Sequence, residues 1–400
     1  MTIIIFMYFC IFTNINNNNY KALKTKRLSS ILLLGAMLFL NGQAKSQVVF
    51  APVFTQTRLE ARADFDYFHI NQDDVLDDPL GFHGKYFNFV VGGDLNDKFS
   101  YFFRQRIIAH PGSVSFFDNT DFLYLTYHPN KNWMFRLGKD ALAVGGFEYD
   151  AAPIDVLFST NYWNNFYCFQ LGAAAAYKSD DGNHMLLAQV ANSPYVYYGA
   201  GADYMNGIDP GKEWRMGLMA YSLYWSGKFG HFSTLYSVNM FERPDHGYMN
   251  YIALGNKLTY NRWDLYIDLI HHALASDDWG KNFAAVGCLN FHLTDDFNLY
   301  AKGAYEQNLS EADFASVLPY DLDILIGQGN KFLFYGVGFE YNPSFCKDVR
   351  LHGVLSYCDH TLEDAAGNTT SFTHTLTANI GITWHMNIHR MFMERGLKKN

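Results

Sequence analysis

The sequence predicts an all-β fold: a transmembrane antiparallel β-barrel of about 16 strands, with short turns at one end and long loops at the other. Three observations predict it. Apolar residues make up 49% of the 400 residues and aromatics 18%, yet the mean hydropathy is -0.12, so greasy residues are diluted by polar ones throughout. That balance suits strands with one oily and one wet face, not membrane helices, which need about 20 consecutive apolar residues. Strict two-residue alternation recurs along the chain, and the connections alternate short and long.

The first 46 residues stand apart. Lys21, Lys24, Lys26 and Arg27 precede the apolar run Leu28 to Leu40, and small residues Ala44 and Ser46 follow. This is the order of a secretory signal, with cleavage expected after Ser46. The apolar stretch Ile3 to Phe12 and the Asn-rich Asn14 to Asn19 read as an N-terminal extension, the mark of an over-extended start site. A membrane anchor is the competing reading, but the run is short for spanning. No Cys lies near the cleavage point, which argues against a lipoprotein. The net charge is -9; the leader removes five cations and no anion, which leaves -14. So acidic a chain argues against nucleic acid as a partner.

Region 47–388 reads as one barrel, followed by a short tail at 389–400 on the short-turn side. In the first strand Leu59, Ala61, Ala63, Phe65 and Tyr67 share one face, and Arg58, Glu60, Arg62, Asp64 and Asp66 the other. Trp133, Phe135 and Leu137 alternate with Asn132, Arg136 and Gly138; Trp263, Leu265, Ile267 and Leu269 with Asp264, Tyr266 and Asp268; Phe297, Leu299, Ala301 and Tyr305 with Asn298, Lys302 and Glu306. The last strand sets Leu376, Ala378, Ile380, Ile382, Trp384 and Met386 against Thr375, Thr377, Asn379, Gly381, Thr383 and His385. Aromatics near strand ends suit interfacial girdles. Short turns are expected near Asn96-Asp97, Pro129-Asn130, Asp180-Asp181-Gly182, Gly227-Lys228, Tyr260-Asn261, Thr294-Asp295-Asp296 and Pro343-Ser344. Long loops are expected near 69–83, 110–120, 141–164, 191–212, 243–250, 273–282, 307–330 and 359–371. Seven short and eight long connections join 16 strands and put both chain ends on the short-turn side.

A barrel of this size encloses an aqueous lumen, so function lies in what lines and narrows it. Arg58, Arg62, Arg104, Arg106 and Arg136 fall on polar faces of early strands and could form a basic wall. Asp264 and Asp268 would stand on a distant acidic wall, and the two together would set a transverse field. Alternatively, the arginines are solvated residues paired locally with Glu60, Asp64 and Asp66. Loop 141–164, with Gly146, Phe147, Glu148, Tyr149, Asp150, Asp155, Phe158 and Trp163, is too apolar to wave in water and is the expected constriction. Packing on a neighbouring subunit, or capping the barrel, would also bury it.

No metal, cofactor or catalytic residue is expected. His271 and His272 are adjacent in a strand and face opposite ways, so they do not chelate together. Ser371 with His374 is the nearest approach to a hydrolytic pair, but nothing fixes a nucleophile. Cys346 and Cys358 would sit near opposite ends of one strand, too far apart for a disulfide.

The segments GFHGKYFNFVVGGDLNDKFSYFFRQRI (81–107) and TDFLYLTYHPNKNWMFRLGKDALAVGGFEYD (120–150) resemble the phosphate-selective porin O and P family, particularly porins of Bacteroidetes-type bacteria. Phe103-Arg104-Gln105-Arg106, Leu137-Gly138-Lys139 and Gly146-Phe147-Glu148 carry the likeness, which covers about 55–165. The resemblance implies a 16-stranded porin in outer-membrane lipid, usually a homotrimer, whose third external loop narrows the channel. Phosphate-selective members carry an arginine ladder and a lysine cluster. Here Arg104, Arg106 and Arg136 stand where rungs would be, no lysine cluster is visible, and loop 141–164 is acidic. The expected function is passive diffusion of small polar solutes and inorganic ions. The alternatives are a substrate-specific anion or phosphate channel, and a non-conducting barrel serving as adhesin or anchor.

Overall fold

Period-2 alternation has one stable outcome in lipid: every backbone N–H and C=O must be paired between strands, and the sheet must have no edge. The computed structural model has that form. It describes residues 53–107, 119–164, 168–194, 218–243, 247–273, 280–309, 328–364 and 366–388. The expected leader (1–46), the tail (389–400) and most of loops 110–120, 191–212, 273–282 and 307–330 lie outside the described residues.

The strands are β1 (Val53–Gln72), β2 (Val75–Asp77), β3 (Leu80–Asn96), β4 (Phe99–Arg106), β5 (Thr120–Tyr127), β6 (Trp133–Ala141), β7 (Phe169–Lys178), β8 (His184–Asn192) and β9 (Met219–Phe229). They continue with β10 (Phe232–Glu242), β11 (Tyr248–Tyr260), β12 (Trp263–Ala273), β13 (Asn282–His292), β14 (Phe297–Asn308), β15 (Asn330–Tyr341), β16 (Val349–Glu363) and β17 (Thr369–Asn387). A one-turn helix, α1 (Phe147–Asp150), interrupts the β6–β7 connection. All strands belong to one antiparallel sheet, and β1 closes it on β17, from Arg58 opposite Asn387 to Gln72 opposite Thr373. β2 is a three-residue hairpin arm against the end of β1, so 16 strands make the wall, as expected from the loop count.

The outer face is apolar and open. Leu137, Leu223, Ile267, Val337 and Ile380 are exposed mid-strand, as lipid-facing residues must be. Next to the short turns, aromatic pairs ring the barrel: Phe99 with Tyr127, Trp133 with Tyr177, Trp263 with Phe291, and Phe297 with Phe339. Phe65 with Phe82, Phe283 with Tyr305, and Tyr335 with Tyr357 stand toward the long-loop ends.

Some boundaries move. Gly227-Lys228 is not a turn: both residues pair within β9–β10, and the chain reverses at Gly230-His231, where Gly230 has φ 61°. The last long connection shrinks from 359–371 to 364–368, because β16 and β17 pair up to Glu363 and Thr369. β1 likewise runs on to Gln72, past the expected end near Tyr67. Strands on the long-loop side thus extend beyond the segments whose alternation is clear. Cys168, Cys288, Cys346 and Cys358 are free thiols.

Candidate functional site

The inner face is not uniformly polar. On β8–β14 it carries Ala191, Ala220, Phe241, Met249, Tyr251, Ala253, Ile270, Ala284, Val286 and Ala304, all buried. Leu142, Val144 and Tyr162 of the β6–β7 connection complete this cluster. Residues 142–164 therefore lie inside the barrel, and the alanines leave room for them. A simple rule of polar inside and apolar outside misses this, because the loop rather than water covers this part of the wall.

Hydrogen bonds tether the loop along its length. Gln189 on β8 accepts from the Ala143 N–H at 2.7 Å and donates to the Ala141 carbonyl at 2.9 Å. The Gly145 N–H donates to Ser237 Oγ at 2.8 Å, and the Gly146 N–H to the Leu235 carbonyl at 3.1 Å, both on β10. A Cβ on Gly145 would lie 2.6 Å from the Leu235 oxygen, and Gly146 has φ 100°, so both positions demand glycine. Asp268 on β12, 0% exposed, then receives the first two N–H groups of α1, Phe147 at Oδ1 and Glu148 at Oδ2, each at 2.9 Å. The Glu148 side chain turns back to accept from the N–H and hydroxyl of Thr160 and to pair with Lys302 on β14. Lys302 also donates to the Phe158 carbonyl at 2.8 Å. Glu306, two pleat repeats further along β14, receives the N–H groups of Asn161 at 3.2 Å and Tyr162 at 2.9 Å. Between these anchors the loop reaches β16 and β1: Arg350 pairs with Asp155 at 2.8 Å, and Arg62 donates to the Val156 carbonyl at 2.7 Å.

The expected constriction residues have separate fates. Gly146 sets the turn onto α1, Glu148 is buried in its pair with Lys302, and Tyr149 donates its hydroxyl to the Leu142 carbonyl at 3.2 Å. Asp150 and Asp155 remain exposed on the loop. The surrounding protein pushes the Asp150 carboxyl above its ordinary pKa by desolvation, and Lys257 partly offsets this.

The five arginines face inward, and each has an acidic partner. Arg58 pairs with Glu60 at 2.6 Å and Arg62 with Asp64 at 2.7 Å. Arg104 and Arg106 share Asp121 at 3.0 and 2.9 Å, and Arg136 holds Asp140 at 2.5 Å. Their guanidinium groups lie on aromatic faces: Arg104 over Phe122 at 4.5 Å and Arg136 over Tyr124 at 4.2 Å. The wall is a mosaic of ion pairs rather than a free basic surface. The two acidic residues on the far side part company. Asp264 meets His292 at 3.1 Å and Lys257 at 3.6 Å near the short-turn end, whereas Asp268 is consumed by α1.

Sequence reading missed Asp121, Asp140, His352 and Arg350. A bulge between Arg104 and Gln105 shifts the β4–β5 register, which hid the inward direction of Asp121. Asp140 lies four residues after Arg136, an even spacing that puts both on one face and could have revealed it. His352 meets Asp64 at 2.9 Å across β17, a contact with no local trace.

The family model for phosphate-selective porin O and P matches residues 56–382. No curated protein matches the sequence. Among solved structures, the outer membrane channel DcaP of Acinetobacter baumannii aligns with TM-score 0.54 and 12% identity, over 82% of this chain and 96% of that one. OprB of Pseudomonas putida gives TM-score 0.54 and 11% identity, over 82% and 94%. An anion-selective porin from Comamonas acidovorans gives TM-score 0.53 and 13% identity, over 84% and 100%. Identities this low speak for a shared fold alone.

Proposed function

The chain belongs to the phosphate-selective porin O and P family, and from that premise we propose that it is an outer-membrane porin of weak selectivity. Small polar solutes and inorganic ions diffuse through the water left between loop 142–164 and the charged wall of β3–β6. The observation that carries this reading is the loop itself, bonded to the inner wall at Gln189, Ser237, Asp268 and Glu306. A loop held so narrows the barrel without sealing the opposite wall.

Weak selectivity follows from the charges. Loop 142–164 carries Glu148, Asp150 and Asp155 and no Lys or Arg. The five arginines opposite are held by four carboxylates, Arg104 and Arg106 sharing Asp121, so one positive charge is in excess and no free cationic ladder awaits phosphate. Residues 1–46 serve as the export signal, the short turns face the periplasm, and three copies associate through their outer faces. Planar-bilayer recording of the purified protein tests the reading. Stepwise ion currents are expected, and their absence sinks it in favour of an adhesin or anchor. Block of those currents by micromolar phosphate would instead favour a dedicated anion channel.

A further inference from the structure

On the short-turn side of the loop lies a recess of about 180 Å³, open on one side. Tyr266 on β12, Tyr300 on β14 and Phe158 of the loop give it aromatic walls, and Asn290, Asp155 and Glu340 give it polar ones. Tyr266 and Tyr300 are each the fourth residue of their strands, counted from the short turns, and Glu340 is the last but one of β15. A solute arriving from the long-loop side meets this recess just after the narrowing.

We propose that the recess is a binding subsite for a single neutral polyhydroxylated ring, a monosaccharide. The inference rests on the porin reading, because the solute reaches the recess through the lumen.

Size, shape and charge each narrow the occupant. Drug-sized pockets begin near roughly 300 Å³, so this one takes one small ring. The rings of Phe158 and Tyr300 are stacked, 23° from parallel with centroids 6.4 Å apart, and Lys302 Nζ lies 4.9 Å from the Phe158 centroid, so the aromatic surface open to the recess is what Tyr300 and Tyr266 leave uncovered. Their negative π faces suit the weakly positive C–H face of a sugar ring. Tyr300 lies flat on the wall because position 338 is glycine; a Cβ there would come within 2.4 Å of the Tyr300 hydroxyl. That oxygen has no hydrogen-bond partner and is buried, so Tyr300 contributes its face and not its hydroxyl.

The charges are nearly matched, with one carboxylate in excess: Arg350 bridges Asp155 at 2.8 Å and Glu340 at 3.1 Å, and Lys302 pairs with Glu148. An anion would meet that excess carboxylate, and a cation would leave water for carboxylates that are already engaged, each at a desolvation cost. Paired carboxylates still have lone pairs to accept from sugar hydroxyls, and Asn290 can both donate and accept. The set is planar, polar and close to balanced.

Isothermal titration of glucose into the full-length protein in detergent tests this, with bilayer recording on the same preparation. Saturable glucose binding is expected. Tyr300→Ala should weaken it about tenfold or more, the upper end of what an aromatic contact contributes. Tyr300→Phe should leave it within about twofold, since only the ring face is used. If Tyr300→Ala does not fold, Phe158→Leu on the loop must show the weakening instead. No saturable heat, equal binding of linear sorbitol, or binding of arginine or phosphate but not glucose would overturn the proposal. Ion current without glucose binding defeats the subsite alone. Absence of current defeats the porin reading, and with it the route to the recess.

Discussion

Replacing Asp268 by alanine should release one corner of the inner loop. Its two oxygens receive the N–H groups of Phe147 and Glu148, both at 2.9 Å, in a fully buried place. Hydrogen bonds to a charged acceptor contribute about 1.5–3 kcal/mol each, so the pair accounts for about 3–6 kcal/mol if additive. At about 1.4 kcal/mol per factor of ten, docking of α1 falls by about two to four orders of magnitude. The rest of the loop stays, because Gly145 on Ser237 and Tyr162 on Glu306 lie outside α1 and do not depend on Asp268. The expected phenotype is a barrel that still folds, with larger unitary conductance and more open-channel noise. Asp268→Asn keeps one acceptor and turns an amide donor toward the other N–H, so it should fall between. Single-channel recording measures both, and heat-dependent gel migration verifies the fold. If folded Asp268→Ala conducts and flickers like the parent protein, the loop is not held as described.

Ile267, next to Asp268 on the lipid side and 47% exposed, should tolerate leucine, whereas Ile267→Arg should cost about 2–4 kcal/mol in urea titrations performed in lipid. Gly138→Ala should cost at least about 1–3 kcal/mol in the same assay, because φ is 137° and the new Cβ would stand 2.1 Å from the Leu123 oxygen. Arg104→Ala takes the trio of Arg104, Arg106 and Asp121 from +1 to 0 and should move reversal potentials in a salt gradient slightly toward cations, and the double change with Arg106→Ala bares a carboxylate and should move them further the same way. Asp150 gives a pH signature. Its pKa in the folded protein lies above the usual Asp value, so as pH falls it loses its negative charge before an ordinary Asp does. The reversal potential should begin to move toward anions at correspondingly higher pH, and Asp150→Asn should remove that early part of the titration.

The outer face was legible because lipid imposes one rule on every strand: Leu137, Ile267 and Ile380 are apolar wherever they point outward. The loop's inward course was legible from Phe147, Tyr149 and Phe158, whose apolar area needs cover. What covers them was not. Ala253, Ala284 and Ala304 look unremarkable in sequence, since a small residue fits either face. Asp268 and Glu306 read as wall carboxylates, because acceptors of backbone N–H groups are indistinguishable from free charges until the distant loop is placed. Local alternation records which side a residue faces and says nothing of what it meets there.

The apolar cluster beneath the loop has a bearing on gating. Tyr162, Phe241, Met249, Tyr251 and Ile270 are sealed together as in the interior of a soluble domain. Each large side chain so buried accounts for about 1.5–3 kcal/mol that would be forfeited if the loop swung away and water entered. A membrane potential or a passing solute is therefore a poor lever on the whole loop, and the aperture is a fixed part of the barrel. Any change of cargo across related channels would then have to be written on the arc β3–β6, where side chains can be exchanged without unpacking this interior.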